Sequence, residues 1–139
     1  KLLEQSYSRL VATNFGELKK YKGGTDYVYG EILPGLVDEI TSIARLTSNS
    51  VFVDLGSGVG QIVGQVSLMV GCFSYGIELD KSRAAIGKAM VENIRVRCNK
   101  WGAEIGVMEI EVGNMLNSPR VVEILGQADA VFIGNTKFD

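Results

Sequence analysis

Val51-Phe52-Val53-Asp54-Leu55-Gly56-Ser57-Gly58-Val59-Gly60-Gln61 is the stretch on which the fold turns. A short run of β-branched and aromatic residues ends at an acid, and glycines then occupy every second position. The run reads as a buried strand. The glycines read as a turn in which backbone adopts positive φ and comes close to a ligand.

The pattern on either side fits an alternation of strands and helices. Val59–Val70 reads as a helix with Ile62, Val63, Val66 and Met69 inward. Phe73–Leu79 reads as a second strand. Residues 81–101 read as a long helix carrying Ile86, Met90, Ile94, Cys98 and Trp101 on one stripe. Ile105–Val112 is the third expected strand, 118–125 a short helix, and Ala128–Ile133 the fourth strand. Strand and helix repeated in this way give a doubly wound, Rossmann-like α/β sheet. Such a domain usually has more than four strands, so the sheet is expected to be incomplete at its C-terminal end.

Upstream, residues 1–13 read as a helix through Leu2, Leu3, Leu10 and Val11. Residues 14–31 read as a glycine-broken loop with Tyr21, Tyr27 and Tyr29 spread along it. Pro34 stands where a helix can begin, and Leu36, Val37, Ile40, Ile43 and Ala44 follow at helical spacing. The organisation expected is N-terminal helices and a loop over 1–50, then the first part of a ligand-binding α/β domain over 51–139.

Composition narrows the chemistry. The chain has 139 residues, 46% of them apolar, a net charge of −2 and no histidine. It therefore lacks the commonest general base and cannot form a Ser-His or Cys-His nucleophile pair, which argues against hydrolysis. Two cysteines 26 residues apart, with no histidine, do not make a zinc site, and no metal is expected. They read as free, buried thiols of a reducing compartment. No apolar run approaches the ~18–20 residues of a membrane span, and the first residues do not have the pattern of a signal peptide.

Three ligands suit a glycine turn at a strand end. The dinucleotide fingerprint Gly-x-Gly-x-x-Gly needs a third glycine where Gln61 stands, counted from Gly56, or where Val63 stands, counted from Gly58. It fails in both registers. A phosphate loop needs Gly-Lys-Ser/Thr, which the chain lacks. The remaining pattern, acid-x-Gly-x-Gly-x-Gly, resembles the first motif of S-adenosylmethionine-dependent methyltransferases. That cofactor has a sulfonium and an ammonium group and no pyrophosphate, so Asp54 suits it better than it suits an anion. Glu78 ends the second strand 24 residues later, where a carboxylate can hold both ribose hydroxyls. That position serves nicotinamide enzymes equally and does not separate the two.

Asp54-Leu-Gly-Ser-Gly-Val-Gly-Gln61, with Val28-Tyr-Gly-Glu31 before it and Tyr75-Gly-Ile-Glu78 after it, resembles the catalytic core of a known family. This is the disruptor-of-telomeric-silencing family of non-SET histone H3 lysine methyltransferases. The resemblance runs through nearly the whole chain, and it implies a nuclear enzyme acting on a lysine of the globular region of histone H3 in nucleosomes. By the same resemblance, Tyr29, Gly30 and Glu31 form a loop folded over S-adenosylmethionine. Phe52 to Gln61, including Leu55, Gly56, Ser57, Gly58 and Gly60, line its methionine half, with Asp54 and Gln61 as polar contacts. Glu78 holds the ribose. Gly113-Asn114-Met115 borders the adenine, with Asn114 in place of the family's acid and Met115 in place of its aromatic residue.

Near the end of the chain, the family's Asn-Asn-Phe-Ala-Phe is matched by Gly134-Asn135-Thr136-Lys137-Phe138. The resemblance makes Asn135 and Tyr29 the catalytic residues that orient the amine, and Thr136 and Phe138 the walls of the lysine channel. Thr136 stands where the family has Phe, a change that bears on which lysine fits and how many methyl groups are added. Residues 80–101 hold six basic and two acidic residues. Lys81, Lys88 and Arg95 share a helix face there, a surface that could meet DNA phosphate or an acidic histone surface; a solvated helix face has the same composition. Two other functions fit the same motif: methylation of another protein or a small molecule, and a cofactor-binding module without lysine methylation activity.

Overall fold

The computed structural model describes residues 34–134. The expected helix at 1–13, the loop at 14–31 and residues 135–139 lie outside them. The elements in order are α1 (Pro34–Ile43), β1 (Val51–Leu55), α2 (Gln61–Val70), β2 (Phe73–Glu78), α3 (Lys81–Lys100), β3 (Met108–Val112), α4 (Pro119–Leu125) and β4 (Ala130–Ile133).

The four strands form one parallel sheet in the order β3-β2-β1-β4. The chain steps outward from β1 to β2 to β3, then returns to the far side of β1. The direction of winding reverses between β1 and β4, and in open α/β sheets ligands bind at the carboxyl ends of the strands beside such a reversal. The glycine turn leaves β1 at that place.

Alternation along the strands divides the core between two faces. Val53, Leu55, Tyr75 and Ile77 face one way and pack with Val121 and Ile124 of α4. Phe52 faces the other way and packs with Val37 of α1 and Ile62 and Val66 of α2. Val63, Ala84 and Ile110 join α2, α3 and β3 on that same side. Fully burying a side chain such as Phe52 contributes about 1.5–3 kcal/mol.

Several boundaries differ from expectation. α2 begins at Gln61 and not at Val59, because Gly60 takes φ 75° as its N-cap. β2 ends at Glu78, and Leu79 is exposed. β3 begins at Met108 and not at Ile105. Gly106 presses so closely on the Cys72 backbone that an added Cβ would lie 1.7 Å from its carbonyl oxygen. β4 begins at Ala130, after Asp129 has anchored the loop by bonds with Val51 in both directions.

Two expected core residues are on the surface. Trp101 is 66% exposed, because α3 ends at Lys100 and Trp101 is its C-cap with φ −96°. Met69 is 46% exposed. Leu68, one residue earlier, packs against the Met90–Ile94–Cys98 stripe of α3 in its place.

Candidate cofactor site

Three local choices shape the turn after β1. Gly56, Gly58 and Gly60 all have positive φ, at 80°, 56° and 75°, a region that side-chain-bearing residues adopt at a cost. The N–H groups of Gly56 and Ser57 both donate to the Ile77 carbonyl of β2 at 2.9 Å. The Gly58 N–H donates to Glu78 Oε2 at 2.8 Å. The turn is thereby stitched along the end of the neighbouring strand.

Glu78 is 8% exposed, and its second oxygen, Oε1, accepts the Asp80 N–H at 3.0 Å. Asp80 then caps α3 by accepting the Arg83 N–H at 2.9 Å, an interaction worth about 1 kcal/mol. One carboxylate therefore ties together the glycine turn and the start of α3. Each oxygen accepts one of these bonds, so lone pairs remain for ligand hydroxyls.

Asp54 lies in register with Gly76 on β2 and Phe132 on β4, on the α2 side of the sheet. It is 2% exposed, and among the described residues no hydrogen bond reaches its carboxyl group. Burial first, and repulsion from Glu78 second, push its pKa up to about 7. Asp54 and Glu78 therefore form a pair of acids at adjacent strand ends, as the 24-residue spacing implied.

Ser57 and Gln61 are placed differently from one another. Ser57 seats its side chain on β2: a Cβ added to Gly76 would lie 2.6 Å from Ser57 Cβ and 2.8 Å from its Oγ. Gln61 opens α2 in the first turn. Among the described residues, Ser57 Oγ and Gln61 Oε1 are both buried without a hydrogen-bond partner. Leu55 turns its side chain into the α4-side core, so only its backbone faces the turn.

The β3 loop follows the end of β2. Gly113 N–H donates to the Glu78 carbonyl at 3.0 Å, which ties the loop carrying Asn114 to the end of β2. Asn114 Oδ1 accepts the Leu116 N–H at 2.9 Å, closing an Asx turn and leaving its amide N–H groups as the free end. Met115 is half-buried against the α4-side core. Tyr29, Gly30, Glu31, Asn135, Thr136 and Phe138 lie outside the described residues.

Two glycines essential to this geometry carry no local signal in the sequence. Gly76 leaves room for Ser57. Gly87 lets α3 approach the turn, since an added Cβ would lie 3.2 Å from the Val59 carbonyl carbon and 3.4 Å from the Gly60 nitrogen. The basic face of α3 is present but partly neutralised: Lys81 and Lys88 are exposed, while Arg95 pairs with Glu92. Among the described residues, no group of histidine, cysteine or acidic side chains could hold a metal ion, and no helix is long and apolar enough to cross a membrane.

Residues 7–139 match the family described as histone methylation protein DOT1. The chain belongs to that family. It is 38% identical over 138 residues to an H3 lysine-79 specific histone-lysine N-methyltransferase of Emericella nidulans, covering 99% of this chain and 28% of the relative. A protein of the same name from Chaetomium globosum is 39% identical over 137 residues, covering 99% of this chain and 27% of the relative. The DOT1-family chain thus spans little more than a quarter of these relatives. Among solved structures, it is similar to an RNA methyltransferase from Salinibacter ruber in complex with S-adenosyl-L-homocysteine. The TM-score is 0.53 at 23% identity, over 73% of this chain and 57% of that one. It is also similar to geranyl diphosphate C-methyltransferase from Streptomyces coelicolor, with a TM-score of 0.56 at 17% identity, over 76% of this chain and 36% of that one. These likenesses show the Rossmann-like fold.

Proposed function

We propose that this chain is the cofactor-binding core of a nuclear S-adenosylmethionine-dependent histone lysine methyltransferase, acting on a lysine of the globular region of histone H3 in nucleosomes. The observation that carries the reading is the pair of buried acids, Asp54 and Glu78, at the end of β1 and β2. A ligand bringing positive charge and hydroxyl donors satisfies what Asp54, Glu78 and the orphaned Gln61 Oε1 leave open. A pyrophosphate would bring further negative charge to a site that already holds two acids. The relatives named as H3 lysine-79 specific methyltransferases, aligned along 99% of the chain, support the histone substrate.

When bound, the cofactor supplies a methyl group on a sulfonium. The chain's residues then have five tasks. Glu78 holds the ribose hydroxyls, and the glycine turn lets backbone lie against the methionine half, flanked by Asp54 and Gln61. Asn114 and Met115 border the base. Tyr29, Gly30 and Glu31 cover the ligand and exclude water. Asn135 and Tyr29 orient the lysine amine in a channel lined by Thr136 and Phe138.

Alignment is the chief catalytic contribution, worth up to about 7–11 kcal/mol in favourable cases. The lysine must arrive neutral, and an apolar channel favours that form by disfavouring the ammonium. Lys81 and Lys88 on α3 offer an exposed contact to DNA phosphate or to an acidic histone surface.

Methyl transfer by the full-length protein to recombinant nucleosomes, free histones and a panel of small molecules tests this function. Product on histone H3 in nucleosomes supports it. Transfer only to a small molecule or to a non-histone protein overturns the substrate, and cofactor binding without turnover on any of them overturns the enzyme.

A further inference from the structure

We propose that Asp54 exchanges a proton for the positive charge of the bound ligand: its carboxyl group holds a proton in the open site and releases it to solvent when a ligand cation settles beside it. The inference rests on the S-adenosylmethionine reading and adds a proton to that binding equilibrium.

The geometry makes the two acids unequal. Glu78 accepts N–H groups from Gly58 and Asp80. Asp54, deeper at 2% exposure, accepts none from the described residues. A buried carboxylate without donors or a counter-ion is costly, and taking up a proton is the ordinary way out. Among the described residues, the neighbouring elements supply no remedy. β2 faces Asp54 with Glu78, a like charge. α2 contributes Gln61 and Gln65, neither of which titrates, and β4 places Phe132 in register. α3 approaches the turn through Gly87. Its nearest cations by sequence are exposed Lys81 and Lys88 and half-buried Arg83, and none of them contributes to the perturbation of Asp54. Burial and the like charge of Glu78 accordingly push the pKa of this carboxyl group up to about 7, so it still takes up protons near neutral pH.

The exchange balances simply. The O–H bond of the Asp54 carboxyl breaks, its proton goes to buffer, and the carboxylate that remains faces the ligand cation. That cation is either the ammonium, present in both S-adenosylmethionine and S-adenosylhomocysteine, or the sulfonium, present in the first alone. Below pH 7 the exchange weakens binding by up to about tenfold per pH unit.

Calorimetric titration at pH 7, in buffers of different ionisation enthalpy, counts the protons released by the full-length protein. Proton release with both ligands assigns the ammonium as the partner. Release with S-adenosylmethionine alone assigns the sulfonium. 5′-Methylthioadenosine, with neither charge, is expected to release none. Between pH 5.5 and 7, Asp54→Asn is expected to remove the pH slope of affinity, while the ligand's own amine titrates alike against both proteins. Tight binding without proton release overturns the inference and leaves the proposed function standing. No binding of either charged ligand overturns both. The proton count on the unsubstituted protein decides the question even if the variant fails to fold.

Discussion

Glu78 Oε2 accepts the Gly58 N–H at 2.8 Å, so the acid ending β2 and the glycine turn ending β1 form one hydrogen-bonded unit. Glu78 therefore supports the turn as well as serving as the proposed ribose contact. Glu78→Ala leaves the buried Gly58 N–H unpaired and is expected to destabilise the fold by about 1–3 kcal/mol. Urea unfolding gives the stability. Calorimetry is expected to show cofactor affinity falling by roughly 1.5–3 kcal/mol through lost charge-assisted bonds. Unchanged affinity would place the ribose elsewhere.

Gly76→Ala tests the seat of Ser57. The added methyl group would lie 2.6 Å from Ser57 Cβ and 2.9 Å from Val63 Cγ2, closer than real contacts allow. Overpacking of this kind costs about 1–3 kcal/mol. The double variant Gly76→Ala, Ser57→Gly removes one of the two obstacles and is expected to recover part of the loss. Thermal denaturation of the two proteins measures the recovery, and equal stability would show that Ser57 is not the obstacle.

Gly56 presents the opposite situation. No heavy atom lies within 4 Å of a Cβ added there, and the residue is exposed with φ 80°. Gly56→Arg is expected to cost about 1–2 kcal/mol for a left-handed backbone at a residue with a side chain. The fold should survive that cost. The long cationic side chain then stands at the mouth of the turn, and cofactor binding is expected to be lost. Circular dichroism checks the first half and calorimetry the second; unchanged binding would remove the ligand from this turn.

Local chemistry explains what the sequence discloses and what it hides. The glycine turn is legible because positive φ at Gly56, Gly58 and Gly60 is a demand made by each residue's own backbone. The strand-end acids are legible because the strand–helix–strand step fixes their separation. Gly76 and Gly87 are not legible, since what excludes a side chain at each is an atom many residues away, in Ser57 or Val59. Trp101 misleads because periodicity cannot see where α3 stops, and one residue beyond the end the stripe no longer points inward. Which end of the Asn114 amide is free is likewise not legible, since it follows only from the Leu116 N–H that the oxygen accepts.

Asp54 also sets how stability depends on pH. Its pKa in the fold is raised to about 7 from the ordinary 3.8. Between these values the native state holds a proton that the unfolded chain has released, so stability falls as pH rises through the window. The loss is complete above pH 7 and absent below about 4, and is on the order of a few kcal/mol. The ligand-free protein is therefore expected to lose stability between about pH 4 and pH 7. Asp54→Asn keeps the shape without the charge and is expected to flatten that part of the profile and to be the more stable protein at pH 7.5. Chemical denaturation midpoints across the range measure both. A profile equally steep in the two proteins would locate the titrating group elsewhere.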